Sequence, residues 1–233
     1  MKKSPFFVFF ECLAICLGTF ALAACSDNSA SAEEFNAASI CPESGRGTFV
    51  DERDGQVYKY TTIGNQVWMA ENLRYKIKED TDADPSNDFR SECFFSDDSC
   101  SVMGLVYNWN TAKGACPRGW HLPSEKEWNI LVGRMGGDSE ANMRLRSTTG
   151  WKELNRGEEL NGSDDCGFML LPSEATYKPN IGYVADAWSS SEGSSEDNEL
   201  ILFFRVVSYR TDLKLLYTDG YKSDLKSIRC LKD

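Results

Sequence analysis

Apolar and polar residues alternate after Gly45, in the stretch GTFVDERDGQVYKYTTIGNQVWMAENL. Alternation with a period of two is typical of strands that bury one face. Asp54-Gly55 lies between two such runs, and this pair favours a tight turn because glycine tolerates positive φ angles. The pattern predicts an early antiparallel hairpin.

Helical spacing first occurs between Gly104 and Ala115, where Leu105, Trp109 and Ala112 fall on one helix face and Gly114 lies near the exit. Residues three to four positions apart share a face of an α-helix, so this segment predicts a first helix.

A second helix is predicted from Ser124 onward. Ser124 can cap the first turn while Glu127, three residues later, completes a reciprocal capping box. Apolar residues then recur at helical spacing, at Trp128, Leu131, Val132 and Met135. Gly136-Gly137 ends the helix.

The rest of the chain predicts mainly strands. EANMRLRSTTGW is a short amphipathic helix or turn, and the polar region from Lys152 to Asp165 is a loop. The strand-like runs that follow are CGFMLLPS, ADAWSSS, ELILFFRVVSY, LKLLYTDG and LKSIRCL. Hairpins and a sheet therefore dominate the second half of an α+β fold.

The amino terminus has the pattern of an export signal. Lys2 and Lys3 precede an apolar run that closes on Ala23 and Ala24, and its uninterrupted part has thirteen residues, too few to span a bilayer as a helix. Residues 22–25, LAAC, resemble the lipobox of bacterial lipoproteins, which implies a signal peptide over residues 1–24 and lipidation of Cys25. A retained transmembrane anchor and an ordinary signal peptide with a chance cysteine are the alternatives.

The segment after the lipobox is rich in Ser, Ala, Asn and acidic residues, which predicts a flexible tether over residues 25–44 and a domain over residues 45–233. Because Ser26 rather than Asp follows the cysteine, the resemblance to bacterial lipoproteins implies the outer membrane, with either periplasmic or surface exposure. The membrane is then a partner through the N-terminal lipid.

Charge and length narrow the possible partners. The chain has 233 residues and a formal net charge of −11, so one sizeable domain is expected and nucleic acid is excluded as a partner. Binding to a phosphate backbone requires clustered Lys and Arg.

The cysteine count predicts three disulfides. Without the signal peptide and Cys25, six cysteines remain, an even number in an exported chain. Cys93 and Cys100 enclose a short loop and are expected to pair. The other four allow three connectivities, of which we prefer Cys116 with Cys230, and then Cys41 with Cys166.

Catalytic and metal sites find little support in the sequence. His121 is the only histidine, no CxxC spacing occurs and no GxSxG elbow appears, so we expect a structural histidine, no catalytic residue, no metal and no cofactor. The loop from Asp80 to Asp88 carries alternating acids, but Pro85 and Ser91 stand where an EF-hand needs Gly and Glu. A solvated acidic loop is favoured over adventitious calcium binding.

Aromatic residues in loops are the candidate ligand contacts, because flat rings stack on sugars and anchor interfaces. Trp151, Tyr177 and Tyr183 lie in the loop-rich region and are proposed for this role. The other five tryptophans are expected in the core: Trp68, Trp109, Trp120, Trp128 and Trp188.

Several ordered motifs together resemble a known family. These are TFVDERDGQVYKYTTIGNQVWMAENLRY, CFFSDDSCSVMGLVYNWNTA, ACPRGWHLPSEKEWNIL, GFMLLPSEA, WSSSE and SIRCLKD. In this order they resemble the Fibrobacter succinogenes major paralogous domain over residues 45–233. That family occurs on exported proteins, often lipoproteins, and its resemblance implies no particular activity.

More distantly, the arrangement is similar to C-type-lectin-like and sulfatase-modifying-factor folds. This similarity implies two main helices on antiparallel sheets, long ligand-binding loops, and Cys116–Cys230 as the core disulfide. Lectin-type calcium binding is not expected, because Lys178 stands at the acidic position of its KPN loop and Ser189 and Ser190 follow Trp188.

Two function classes remain from the sequence. The first is a non-catalytic, lipid-anchored cell-envelope module for adhesion or ligand binding, with a polysaccharide or an envelope protein as partner. The second is an envelope enzyme such as a carboxylate-based glycan hydrolase, whose two acids converge in space and leave no sequence spacing to detect. We favour the first class.

Overall fold

The last residues of the chain contribute a strand to each of the two sheets seen in the described part of the protein. The structure is a computed structural model that describes residues 35–77, 91–93, 100–153, 158–173, 182–193, 200–208 and 214–233. Residues 35–233 form one compact unit.

The secondary structure of the described residues is mixed α and β. The strands are β1 Gly47–Val50, β2 Val57–Ile63, β3 Gln66–Met69, β4 Ser91–Cys93, β5 Leu105–Tyr107, β6 Trp120–His121, β7 Val184–Glu192, β8 Leu200–Val207, β9 Leu216–Tyr221, β10 Lys226–Ser227 and β11 Leu231–Lys232. The helices are α1 Ala37–Ile40, α2 Cys100–Met103, α3 Trp109–Ala112, α4 Glu125–Arg134 and α5 Asp138–Leu145. None of these helices has the length and apolarity that crossing a membrane requires.

The smaller sheet has the strand order β1-β2-β3-β11-β6 among the described residues. It contains the predicted hairpin, with Phe49 opposite Tyr58 across β1 and β2. Both of its faces are buried: Trp68 of β3 packs into one apolar cluster and Met69 into the other. Successive side chains of a strand point to opposite faces, so one sheet separates two cores.

The larger sheet has the order β4-β5-β10-β7-β8-β9 in the same described parts. Its pairs are antiparallel except for β10 with β7, which are parallel. Strands β7, β8 and β9 form in the described residues of the runs ADAWSSS, ELILFFRVVSY and LKLLYTDG. The run CGFMLLPS forms only an isolated bridge at Leu170, because Met169 adopts a positive φ of 52° that interrupts extended backbone.

Helix α4 matches its sequence prediction closely. The Ser124 hydroxyl accepts from the Glu127 backbone N–H, and the Glu127 carboxylate accepts from the Ser124 backbone N–H at 2.7 Å. Trp128, Leu131 and Val132 form the buried face of this helix. Helix α5 follows where a short helix or turn is predicted.

The predicted first helix is wrong over its first half. Leu105–Tyr107 is strand β5, buried on both faces, and the helix is limited to Trp109–Ala112. A short apolar run buried on both sides has no period that distinguishes strand from helix. Asn108 starts the helix because its side chain accepts from the Thr111 backbone N–H.

The domain starts earlier than predicted, because residues 35–44 do not behave as a tether. Phe35 and Ile40 pack against the core. The Arg144 guanidinium lies 3.9 Å from the centre of the Phe35 ring. Cys41 is joined to Cys166 by a disulfide. Composition suggests a solvated segment, but two apolar side chains and one disulfide hold it on the domain.

Three disulfides join the cysteines of the described residues. They are Cys41–Cys166, Cys93–Cys100 and Cys116–Cys230, the pairs preferred from the sequence. The third encloses a sequence separation of 114 residues and attaches the segment before β6 to the segment before β11. Such long-range links restrict the unfolded chain, by roughly 4 to 5 kcal/mol each in the chain-entropy model.

Arg229 lies between β10 and β11 with a fully buried side chain. Its Nε donates to Asn72 Oδ1 at 2.6 Å, and its Nη atoms donate to the carbonyl oxygens of Phe168 at 2.5 Å and Met169 at 2.8 Å. Burial lowers the pKa of Arg229 to about 9, so the guanidinium stays charged at neutral pH. One side chain thus links the C-terminal segment to β3 and to the loop before β7.

His121 links helix α4 to the last strand. Its Nδ1 lies 2.7 Å from Asp233 Oδ1, and its Nε2 lies 3.0 Å from Glu127 Oε1. Partial burial alone would lower the pKa of His121, but the hydrogen bonds with Asp233 and Glu127 outweigh burial and raise the pKa above its usual value. The ring is therefore an electrostatic bridge between two structural elements.

Replacing the buried guanidinium should destabilise the fold strongly. Arg229→Met keeps much of the side-chain length but leaves the Asn72 oxygen and the facing carbonyls without a donor. We expect the free energy of unfolding to fall by about 3 kcal/mol or more, as measured by urea titration without reductant. The exposed Arg134→Met on α4 is the matched control and should change it by less than about 0.5 kcal/mol. Equal urea midpoints for the two variants would contradict this role.

The His121 bridge should add stability at acidic pH. Because the folded pKa lies above the unfolded value of about 6.5, the contribution is complete below that pH and is lost as pH rises through the folded pKa. The side chain is 38% exposed, so solvent screening keeps the effect below about 1 kcal/mol. Urea unfolding of wild type and His121→Gln should differ more at pH 5.5 than at pH 8.5. If the stability difference between wild type and His121→Gln is the same at pH 5.5 and pH 8.5, or is larger at pH 8.5, the bridge does not contribute as described.

Candidate functional site

Trp151, the first proposed ligand contact, is fully buried, so the prediction that it lies on the surface is wrong. Its indole N–H donates to the Leu170 carbonyl at 2.9 Å and to the Ser147 hydroxyl at 3.1 Å. The Arg146 guanidinium lies 5.4 Å from the ring centre. Trp151 therefore fills the core beneath α5.

The other predicted site residues are only partly described. Tyr183 is half-buried just before β7, and its carbonyl accepts from the Ser208 backbone N–H. Tyr177, Cys25 and the acidic loop from Asp80 to Asp88 lie outside the described residues. Of the three aromatic candidates, the described part of the chain shows Trp151 buried in the core and Tyr183 half-buried before β7.

A cleft lined by aromatic and charged residues lies elsewhere on the surface. Its volume is about 670 Å³, within the usual range for ligand pockets. We call it the edge cleft, because the two edge strands of the smaller sheet supply its walls. It is lined by Phe49, Val50, Asp51, Glu52, Arg53, Pro117, Arg118, Gly119 and Trp120.

The walls of the edge cleft meet because the sheet curls. β1 and β6 are its two outer strands, and a flat five-stranded sheet would hold them about 19 Å apart, at about 4.8 Å per strand. Yet the ring centres of Phe49 on β1 and Trp120 on β6 lie 4.4 Å apart, with 22° between the ring planes. Strand twist and coiling bring the opposite edges into contact.

The two rings continue into a column that anchors them. The Tyr58 ring centre lies 5.6 Å from that of Phe49, and the Arg74 guanidinium lies 4.4 Å from the Tyr58 ring. Tyr58 is fully buried, and burial raises its pKa to about 12. Phe49 and Trp120 are half-buried, so the outer end of the column reaches solvent. The aromatic surface of the cleft is thus held from below.

An ion pair between the buried carboxylate of Asp51 and the partly exposed guanidinium of Arg53 fixes one wall. Asp51 accepts from Arg53 Nε at 2.9 Å and from Arg53 Nη2 at 2.7 Å, and its carboxylate has no exposed surface. Burial alone would raise the pKa of Asp51, but the hydrogen bonds from Arg53 outweigh it and lower the pKa. The Arg53 guanidinium lies 3.7 Å from the Tyr75 ring centre and reaches the Cys116 carbonyl at 3.5 Å. Arg53 therefore contacts both walls.

Two further charges in the edge cleft are open to solvent. Glu52 and Arg118 are exposed, one on each wall, and no ion pair is found for either among the described residues. Gly119 is also exposed, has φ +80°, and has open space where a Cβ would lie. A ligand can approach its backbone closely.

These groups suit binding better than metal chemistry. An aromatic surface, one accepting carboxylate and one donating guanidinium can hold a polar ligand that also has an apolar face. Within the described residues, no group of three His, Cys, Asp or Glu side chains is arranged to hold a metal ion. The two nitrogens of nearby His121 point to separate carboxylates.

The edge cleft is not predicted from the sequence, where Trp120 is expected in the core and the candidate ligand contacts are Trp151, Tyr177 and Tyr183. Composition cannot distinguish Trp120 from Trp151, since both follow glycine in polar surroundings. The sequence signal that could have indicated the cleft is the stretch PRGW after Cys116, in which a turn-forming proline and glycine come just before Trp120. Its partner Phe49 lies 71 positions away and could be found only through the fold.

Comparisons with known proteins identify the family. No curated protein and no solved structure matches the chain. The family model described as the Fibrobacter succinogenes major domain matches residues 61–232, which include the Trp120 wall of the edge cleft but not the Phe49 wall. Because this match covers well over half of the 233 residues, the chain belongs to the Fibrobacter succinogenes major domain family.

Proposed function

We propose that this protein is a non-catalytic, lipid-anchored module of the cell envelope that binds a polysaccharide or an envelope protein in the edge cleft. The observation that carries the proposal is the Phe49–Trp120 ring pair, held at 4.4 Å at the meeting of the two sheet edges. A half-buried aromatic pair beside free polar groups is a common basis for recognition.

The cleft is preorganised for binding. Phe49 rests on Tyr58, and Arg53 is fixed between Asp51 and Tyr75. The disulfide from Cys116 to Cys230 restrains the segment that leads to Trp120. A rigid site loses little conformational entropy when it binds, which favours affinity.

The alternative function, a carboxylate-based glycan hydrolase, finds no support in this cleft. Hydrolases of that type need one carboxyl group with a raised pKa as the general acid. Asp51, the buried carboxylate of the cleft, has a lowered pKa, and both its oxygens accept from Arg53. Glu52 is the other acidic residue of the lining and is exposed.

We also propose a C-type-lectin-like fold and an outer-membrane location, either periplasmic or surface-exposed. The fold proposal is supported by helices α4 and α5, by the two sheets and by the Cys116–Cys230 disulfide near the C-terminus. The location is supported by the lipobox-like residues 22–25 and by Ser26.

Ligand binding should depend on Trp120. The full chain, purified in mild detergent, is tested in pull-down assays against purified polysaccharides and purified envelope proteins. Trp120→Ala should weaken binding by about tenfold or more, because a central aromatic anchor is removed. Tyr221→Ala, which removes an aromatic residue that is 58% exposed on β9, should leave binding unchanged.

Two results would overturn the binding proposal. One is equal loss of binding in Trp120→Ala and Tyr221→Ala. The other is release of new reducing ends from a polysaccharide that stops in Glu52→Gln, which would indicate the hydrolase instead.

Lipid attachment should depend on Cys25. Cells that express the full chain are labelled with a radioactive fatty acid, and the label should be lost in Cys25→Ala and after inhibition of the lipoprotein signal peptidase with globomycin. Cys16→Ala, within the same leader, should keep the label. Unchanged labelling of Cys25→Ala would contradict lipid attachment at Cys25.

A further inference from the structure

We infer that the edge cleft binds a glycan chain without charged groups, with one sugar face on Trp120 at the outer end of the aromatic column and sugar hydroxyls on Glu52 and Arg118. This inference rests on the proposed function and specifies its ligand class.

The charged residues that line the cleft have no net charge. The four charged residues of the cleft are two acids, Asp51 and Glu52, and two bases, Arg53 and Arg118, so their formal charges cancel. Asp51 and Arg53 are paired at 2.7 Å and neutralise each other. An acidic polymer would gain no net attraction from this lining and would be repelled by a chain of net charge −11.

The two exposed charged residues, Glu52 and Arg118, suit the hydroxyl groups of a sugar. A sugar hydroxyl both donates and accepts hydrogen bonds, so adjacent hydroxyls match a carboxylate and a guanidinium together. Glu52 accepts and Arg118 donates, and both are exposed on the lining. Hydrogen bonds to charged groups are stronger than neutral ones, so few are needed for orientation.

The aromatic surface of the cleft suits the apolar face of a sugar ring. Sugar rings expose C–H groups on one face, and such faces pack on aromatic rings. Phe49 and Trp120 are nearly parallel and end in solvent, and Gly119 beside them has open space at its Cβ position. An extended chain can therefore pass over Gly119 and rest on Trp120, the ring at the outer end of the column.

A protein partner fits the described surface less well. Stable protein interfaces bury about 800 Å² on each partner and usually have a contiguous apolar centre. The exposed large apolar residues in the described parts are scattered over six elements: Val50, Val57, Val102, Ile130, Met143 and Tyr221. Val50 and Val57 are paired neighbours across β1 and β2, and two valines make a small patch.

The test compares soluble polymers that differ in charge. The full chain in detergent is titrated with mixed-linkage β-glucan and galactomannan, which are neutral, and with polygalacturonate, which is anionic. We expect a neutral polymer to bind with an affinity that changes less than about twofold between 20 and 500 mM NaCl, because screening acts on charged partners. Polygalacturonate should not bind.

Variants locate the binding and protect the test against misfolding. Trp120→Ala should weaken neutral-polymer binding by about tenfold or more, and Trp120→Phe by less. Glu52→Ala and Arg118→Ala change exposed side chains and should each weaken it by about threefold to tenfold, in line with loss of one solvent-exposed hydrogen bond. Tyr221→Ala should match wild type.

Different binding results bear on the ligand class and on the binding function. Trp120-dependent binding of polygalacturonate or of a purified envelope protein, with no neutral polymer bound, overturns the inferred ligand class and leaves the binding function. Absence of any Trp120-dependent binding overturns both. Neutral-polymer binding that Glu52→Ala and Arg118→Ala leave unchanged overturns the assigned polar contacts.

Discussion

Burial of Arg229 between β10 and β11 is the constraint on which the described fold depends. The chain segment from Lys226 to Lys232 lies inside both sheets, with β10 between β5 and β7 and β11 between β3 and β6. A guanidinium with no exposed surface must have all its donors satisfied, or the fold would lose several kcal/mol. The Asn72 amide oxygen and the carbonyls of Met69, Phe168 and Met169 accept hydrogen bonds from its three nitrogens, which fixes the end of β3 and the loop before β7 relative to the C-terminal segment.

The edge cleft is a consequence of this arrangement. β11 sits inside the smaller sheet and pairs Leu231 with both Trp68 and His121, so the position of β6 follows from that of the C-terminal segment. The Cys116–Cys230 disulfide and the Asp233 backbone N–H, which donates to the Gly119 carbonyl at 3.1 Å, restrain the loop that leads to Trp120. The same contacts that close the core therefore hold one wall of the cleft, and curling of the sheet supplies the other.

Local interactions made several elements predictable. The capping box at Ser124 and Glu127 and the hairpin turn in which the Gly55 N–H donates to the Asp51 carbonyl depend on residues within a few positions, so the sequence shows them directly. Leu105–Tyr107 is a strand where the spacing predicts a helix, because burial on both faces removes the alternation that marks a strand. Phe35 and Ile40 were assigned to a tether because a polar composition does not reveal that two apolar side chains dock on the core.

By itself, the sequence determined the family, the α+β class, the helix start at Ser124 and an even set of cysteines available for pairing. The tertiary structure decided which tryptophan is open to a ligand: Trp151 is sealed by Leu170 and Ser147, while Trp120 meets Phe49 at a cleft. The physical reason is that exposure depends on contacts between residues far apart in the chain. Neighbouring residues encode caps and turns, but only the curl of the sheet brings two distant edges together.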